Sequence, residues 1–438
     1  MGNADPSSTP ERSGPKSRPP PVALFAATSL VIGLSVGFGL GLWLLLARVW
    51  GVSLFGASWL ALVQVHGSLQ LFGFVGLFAM GVALHALPRF RGAEPPRRWL
   101  VWIAYLGTLS GLALRSVAQP VPDFSGRSAM LLIGGALLCL GTLAFSVAAV
   151  RALATGLNPH RADELLIGAG ICAMPIAALL VALEMTGRAP VIVDQVTDDR
   201  ALWVMLLGSL GTLIVGVWAR LAPGFVASAP ARSRSLIIGG VLWLAGVLAQ
   251  ALGIALGPWL LLAGFASLTH ATGVFRTGIA RQPLHGHARV TRIGVRTAFL
   301  WAFIGLAIIA AGTSGVATTY LQVSAGRHAF ALGFVTLMIY AVASRALPAF
   351  LGRRFWSLRL QVATLAVANL AVAMRVGPQL LDGTGSPSDA IVGVSGLLAY
   401  TALVLFTLNV VRTLRGPSAR AVMAGVPVPV EVRFGRIP

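Results

Sequence analysis

The chain has 438 residues, of which 56% are hydrophobic and only 11% charged, and its formal net charge is +20. Soluble proteins carry about 25% charged residues, so a water-soluble fold is excluded for want of polar surface. The basic residues, all arginine except Lys16, sit in short clusters between apolar runs. That distribution marks membrane topology rather than nucleic-acid binding.

Residues 1–21 are rich in Pro and Ser and are expected to form a disordered cytoplasmic tail. A membrane span needs about 20 apolar residues. Such runs lie near 22–48, 57–87, 99–119, 128–152, 164–186, 201–222, 235–256, 258–278, 293–314, 327–347, 357–375 and 389–412. The first is too long for the apolar part of a secretory signal. Connections are short, so 22–413 is expected to be one all-α polytopic membrane bundle of about twelve transmembrane helices, with a second cytoplasmic tail at 414–438.

Placing the N-terminus in the cytoplasm puts most of the arginines on the inner side, as the positive-inside rule requires. The inner clusters include Arg89, Arg91, Arg97 and Arg98, then Arg353, Arg354 and Arg359. The acidic stretches 194–199 and 382–389 fall outside, where loops are expected. The expected location is the cell inner membrane, with the lipid bilayer as partner and no nucleic acid.

An internal repeat emerges next. The second span ends LHALPRF, the sixth ARLAPGF and the tenth SRALPAF. Each places a basic-type residue (His85, Arg220, Arg345) three before a proline (Pro88, Pro223, Pro348) and a phenylalanine (Phe90, Phe225, Phe350) two after it. A glycine stands fifteen residues before each proline, at Gly73, Gly208 and Gly333. The fourth, eighth and twelfth spans each close on an arginine, at Arg151, Arg276 and Arg412. The pattern predicts three copies of a four-helix unit. The prolines are read as stops where a helix meets water, and Arg220 and Arg345 as cations suited to a helix C-terminus. Gly33, Gly37 and Gly41 share one helix face and predict close packing.

Of the seven histidines, His66 and His328 carry the most information. They open the second and tenth spans, 22 and 20 residues before the terminal prolines, so their depths differ by roughly 3 Å. If the first and third units adjoin, the two imidazoles face one another across a cofactor plane, as a haem iron with two axial histidines needs. A copper ion shared between them is the other metal reading. A histidine near an interface also simply hydrogen-bonds a carbonyl or water, and spacing alone does not choose.

Arg115 and Arg327 lie near the same boundary, suited either to haem propionates or to snorkelling into the headgroups. Glu184 reads as a proton carrier or an interfacial acid, the second being favoured. His85, about 28 Å from His66 along the helix, reads as interfacial, with a weak metal reading. His270 reads as a buried group with a helix partner, or as a weak metal ligand. His285 and His287 form an isolated H-x-H pair. Cys139 and Cys172 fall in apolar runs and read as inert buried thiols. No phosphate loop, zinc-protease helix or dinucleotide fingerprint occurs.

The segment HGSLQLFGF, with His66, Leu71, Phe72, Gly73, Phe74 and then Pro88, resembles the second helix of the NnrS family. His328, Ala329, Gly333, Thr336, Ile339 and Arg345 resemble its tenth. The resemblance implies a twelve-span membrane protein of the bacterial nitric oxide response, containing haem and copper. Ser68 and Leu69 stand where that family commonly has histidine and glutamate, and a histidine it often carries after the tenth helix is replaced around Phe350, so haem rests mainly on His66 and His328. More distantly the chain resembles the haem–copper oxidase core subunit, whose low-spin haem takes histidines from the second and tenth helices. The histidines of its oxygen-reducing site, in the sixth and seventh helices, have no counterpart here.

These observations lead to the expectation of a haem b protein, with His66 and His328 as axial ligands and Arg115 and Arg327 at the propionates. Its expected role is nitric oxide response or membrane electron transfer, with a small gaseous ligand such as nitric oxide. Two alternatives stay open: a haem-dependent membrane redox enzyme, and a transporter or assembly factor without a cofactor.

Overall fold

The computed structural model describes residues 21–52, 58–121, 124–185, 192–276, 284–313, 319–381 and 386–416. Apart from residue 21 and residues 414–416, the two expected tails lie outside the described residues. Among the described residues there are twelve helices and no strand. They are α1 (Val22–Trp50), α2 (Trp59–Arg91), α3 (Arg98–Ala118), α4 (Arg127–Thr155), α5 (Asp163–Met185), α6 (Val196–Val226), α7 (Ser233–Ala251), α8 (Gly257–Thr272), α9 (Gly286–Gly312), α10 (Tyr320–Leu351), α11 (Leu358–Leu380) and α12 (Pro387–Arg415). All but the sixteen-residue α8 are long and apolar enough to cross a bilayer. The protein is a multi-pass membrane protein. Its outer surface is a belt of leucine, isoleucine, valine and tryptophan, with Leu132, Ile133, Leu143 and Trp102 each about half exposed, as a lipid-facing surface demands.

The three units close into a ring. Within each unit the first helix packs on the second and the third on the fourth; α4 then meets α5, α8 meets α9, and α12 returns to α1. The second helix of each unit lies innermost. The apolar windows of α2, α6 and α10 are 89%, 78% and 78% buried, against 39–50% for the other eight spans long enough to cross. Glycines bring the helices close: Gly107 and Gly111 of α3 face the backbone of Gly141 and Leu138 of α4, the small-residue contact by which membrane helices pack without a hydrophobic drive.

The repeated proline motif is what closes the ring at one end of the bundle, here called the proline end. Arg220 of α6 donates to the Phe90 carbonyl of α2 at 3.0 Å and lies over the Phe90 ring. Arg345 of α10 does the same to Phe225 of α6, at 2.5 Å. His85 of α2 completes the circuit with its ring 4.8 Å from that of Phe350 in α10. The two arginines thus serve the C-terminal end of a neighbour's helix, where carbonyls lack partners, while His85 makes the ring contact alone. His85 is buried at 3% exposure, which corrects its interfacial reading: the ring contact takes it inside.

The prolines do not stop their helices. Each helix runs three residues beyond, to Arg91, Val226 and Leu351. So near a C-terminus a proline costs a single ladder bond. In two of the three helices the proline carbonyl also serves the cap, accepting from Ala93 at 2.8 Å and from Arg353 at 2.9 Å. The chain then leaves through a left-handed residue, Gly92 or Gly352. In the second unit that residue is Ala227, at φ 50°.

A second feature of the repeat was invisible to hydropathy. α2, α6 and α10 each contain a π-helical turn, Leu69–Gly76, Val204–Gly211 and Ala329–Thr336. All three run from four residues before the repeat glycine to three after it. α1 carries a shorter one, Gly33–Gly37. Two hydroxyls follow the wider register, Thr212 bonding Leu207 O at 2.9 Å and Thr336 bonding Ala331 O at 3.1 Å, both five residues back. Such turns recur at functional positions in helices.

Several boundaries move. α10 begins at Tyr320 rather than near 327, opened by a capping box between Thr319 and Gln322, a signal that a hydropathy scan passes over. The stretch 194–199 is not a loop: Asp194 caps the start of α6, accepting from Thr197 N at 3.2 Å. Asp389 lies in the first turn of α12. Cys172 faces outward rather than inward, while Cys139 is half-buried; both are free.

Candidate functional site

At the end opposite the prolines, the histidine end, a cavity of ≈ 540 Å³ opens between the first and third units. That is the size range of cofactor pockets. Its walls come from α1, α2, α5, α6, α10, α11 and α12, and they are mainly apolar, with Phe38, Leu42, Leu71, Leu206, Leu332 and Val335 among them. Both His66 and His328 line it. They do not open their helices, as the spans had placed them, but stand seven and eight residues inside, roughly 10–12 Å along each helix.

Their placement follows from helical register. His66 is seven residues before its repeat glycine and His328 five before its own. Strictly equivalent positions in a three-fold ring would point the same way round. A two-residue offset turns one side chain by about 200° relative to the other, so α2 and α10 direct their imidazoles into the same space.

Each ring is held by a backbone carbonyl. His66 Nδ1 lies 3.0 Å from Gly37 O, and His328 Nδ1 lies 2.8 Å from Ser324 O. A carbonyl only accepts, so both Nδ1 atoms donate, and in the neutral ring the lone pair belongs to Nε2. This is the arrangement in which a ligating histidine is oriented and made more basic from behind.

The His66 seat is built by α1. Gly37 ends the π-helical turn with φ −82° and ψ −96°, and its carbonyl reaches the imidazole across the helix interface. One turn on, a Cβ at Gly41 would stand 2.5 Å from His66 Cε1. The glycine face expected to serve packing alone therefore also shapes the site.

Three arginines line the cavity. Arg327 donates to Asp199 at 2.5 Å and lies over the Trp203 ring at 5.1 Å. Arg48 pairs with Asp389 at 3.0 Å. Arg375 of α11 donates from Nη2 to His328 Nε2 at 3.4 Å, and its buried Nη1 has no hydrogen-bond partner. Sequence reading missed Arg48 and Arg375, because an arginine near a span end reads as an interfacial anchor.

Arg115 lies elsewhere. It is 3% exposed, donates to Gln119 Oε1 at 2.9 Å and pairs with buried Glu184 at 3.8 Å, and it is not among the cavity walls. Neither Arg115 nor Arg327 reaches out to snorkel, because each has found a carboxylate within the protein, Glu184 and Asp199. Gln119 passes the contact on, donating to Gln64 at 3.0 Å on the cavity wall.

His85 and His270 do not join the pair. His85 is in the proline-end ring. His270 is exposed in the last turn of α8, where Arg232 donates to its Nε2 at 3.0 Å. His287 meets Gln361 at 2.6 Å, while His285 immediately precedes α9 without a side-chain cap bond and is exposed.

Comparison with known families decides the relationship. Residues 24–418 match the family described as NnrS protein. The chain belongs to the NnrS family. Among curated proteins no significant match is found. The NnrS match covers all twelve helices, so family and fold describe the same part of the chain.

The donor set tests which group an NnrS protein of this sequence suits. Two imidazoles on one mainly apolar cavity, each with Nδ1 committed to a carbonyl, make a donor pair that would suit a haem iron. Among the described residues, no group of three or more His, Cys, Asp or Glu side chains is gathered for a metal. A copper ion on this pair would have two protein donors only, fewer than the two histidines and one cysteine of a blue-copper site.

Proposed function

We propose that this NnrS-family protein binds haem b between His66 and His328 and serves the nitric oxide response or membrane electron transfer. The observation that supports it is the shared cavity, onto which two imidazoles face with both Nδ1 atoms committed to carbonyls. When bound, haem supplies a redox-active iron that also takes a diatomic ligand such as nitric oxide. The residues of the chain do the rest. Gly37 and Ser324 hold the imidazoles in the tautomer that offers Nε2. The apolar walls exclude water, which favours the less charged form of the metal centre. His66 and His328 would hold the haem, and because each stands on an inner helix, α2 or α10, a change at either imidazole would be felt by that helix.

In this reading the proline end faces the cytoplasm with both termini, because the arginine clusters at 89–98 and 353–359 follow its helices. The cavity then opens toward the outer face of the inner membrane.

The test is an optical spectrum, oxidised and reduced, of full-length protein purified in mild detergent from haem-replete cells. The reduced protein is expected to show the sharp α-band of low-spin haem b. His66→Ala and His328→Ala are each expected to abolish it while leaving the helical content unchanged. A well-folded wild type without haem would overturn the reading.

A further inference from the structure

Among the described residues, one cation of the cavity has no ion-pair partner. Arg48 and Arg327 are matched by Asp389 and Asp199. Arg375 has no carboxylate within ion-pair distance among the described residues, its Nη1 is buried without a partner, and its single polar contact is the neutral Nε2 of His328. A guanidinium inside a membrane bundle is costly unless paired, and it keeps its charge because its proton is not lost under physiological conditions. A neutral imidazole nitrogen at 3.4 Å is a poor partner for such a group.

We infer that the cavity takes a largely apolar ligand bearing a carboxylate, and that Arg375 is the residue that receives that carboxylate. The inference rests on the haem reading only for the choice of molecule, a tetrapyrrole with propionate arms. The charge argument stands apart from it, and a long-chain fatty acid carries the same chemistry. A carboxylate offers two oxygens to the guanidinium fork and a charge-assisted bond that imidazole cannot match. Its arrival also draws Arg375 off His328 Nε2, so seating the anion releases that nitrogen for a metal. Arg375 is thus the anion anchor and, through His328, a positioning residue for the histidine pair.

The experiment compares a ligand with its esterified form. Full-length protein from haem-deficient cells is titrated with ferric haem and with ferric haem dimethyl ester, following the absorbance change. Wild type is expected to prefer the free acid by about ten-fold or more in Kd. Arg375→Met is expected to lose that preference by weakening the free acid alone, and Arg375→Lys to keep part of it. Equal affinities in wild type, or a loss shared by acid and ester in Arg375→Met, overturn the assignment while leaving the haem reading intact. If wild type takes up neither form, the haem reading fails, and the melting temperature with oleate against methyl oleate decides the anion question. Stabilisation by oleate that disappears in Arg375→Met supports the assignment; no difference overturns it.

Discussion

The two faces of α10 lie in regions built alike and finished differently. Towards the second unit, Phe330 and Phe334 join Trp243, Phe265 and Phe299 in a fully buried aromatic cluster with ring centroids 5.0–6.1 Å apart. Towards the first unit, His328 faces the cavity that His66 shares. The backbone frames correspond, since the π-helical turns stand in the same register in all three units. The side chains alone distinguish a seam packed solid from one left open. At the register position of Phe330, α2 carries Gln70, which lines the cavity. At the register position of His66, α6 carries Ala201. A membrane bundle gains little from burying apolar area against lipid, so a seam is stabilised by close packing or left to a ligand. The protein does the first between its second and third units and the second between its third and first.

That contrast can be broken from either side. The largest effect is expected in the closed seam. Phe265→Ala removes a ring in contact with Trp243, Phe299 and Phe334, and should cost about 3 kcal/mol in packing and cavity formation. Denaturant unfolding in detergent measures it, and the haem spectrum should not move. A lost α-band in Phe265→Ala would show the two seams to be one energetic unit. The open seam should respond in the opposite sense. Gly41→Ala drives a methyl group into the His66 ring, costing about 1–3 kcal/mol by overpacking and displacing the imidazole. Haem content should fall with only a modest loss of stability. The smallest effect sharpens the comparison between units: Ala227→Gly relieves the left-handed residue that Gly92 and Gly352 serve elsewhere and should stabilise by up to about 1 kcal/mol. A neutral or destabilising outcome would mean that the Ala227 methyl group packs usefully enough to offset its backbone strain.

Much of the fold was legible in the chain. Apolar runs of sufficient length located twelve helices, and three motifs at fixed intervals revealed the units. The boundaries erred where helices begin in polar sequence, as at Tyr320, because a helix that starts beneath a cap needs no apolar first turn. The prolines were misread as stops, since a proline in a last turn and a proline ending a helix leave the same local signal. For the site, the matched depth of His66 and His328 was readable, and the rest was not. Arg115 and Arg327 looked alike at equal depth, yet one is turned to Glu184 and the other to the cavity edge. Arg375 gave no sign, because whether a charge near a helix end meets lipid, solvent or another helix depends on what packs beside it.

By itself, then, the sequence determined the solvent, the helix count and the repeat, because these depend on local hydropathy and on short-range spacing. Only the tertiary structure decided that the units close into a ring, that α1 supplies the carbonyl and the glycine seating His66, and that one arginine faces the cavity without an ion-pair partner among the described residues. Each of these depends on the rotation of a helix about its axis and on the identity of its neighbour. A side chain two residues out of register turns by more than half a circle, and apolar content, averaged over a span, carries no record of that angle.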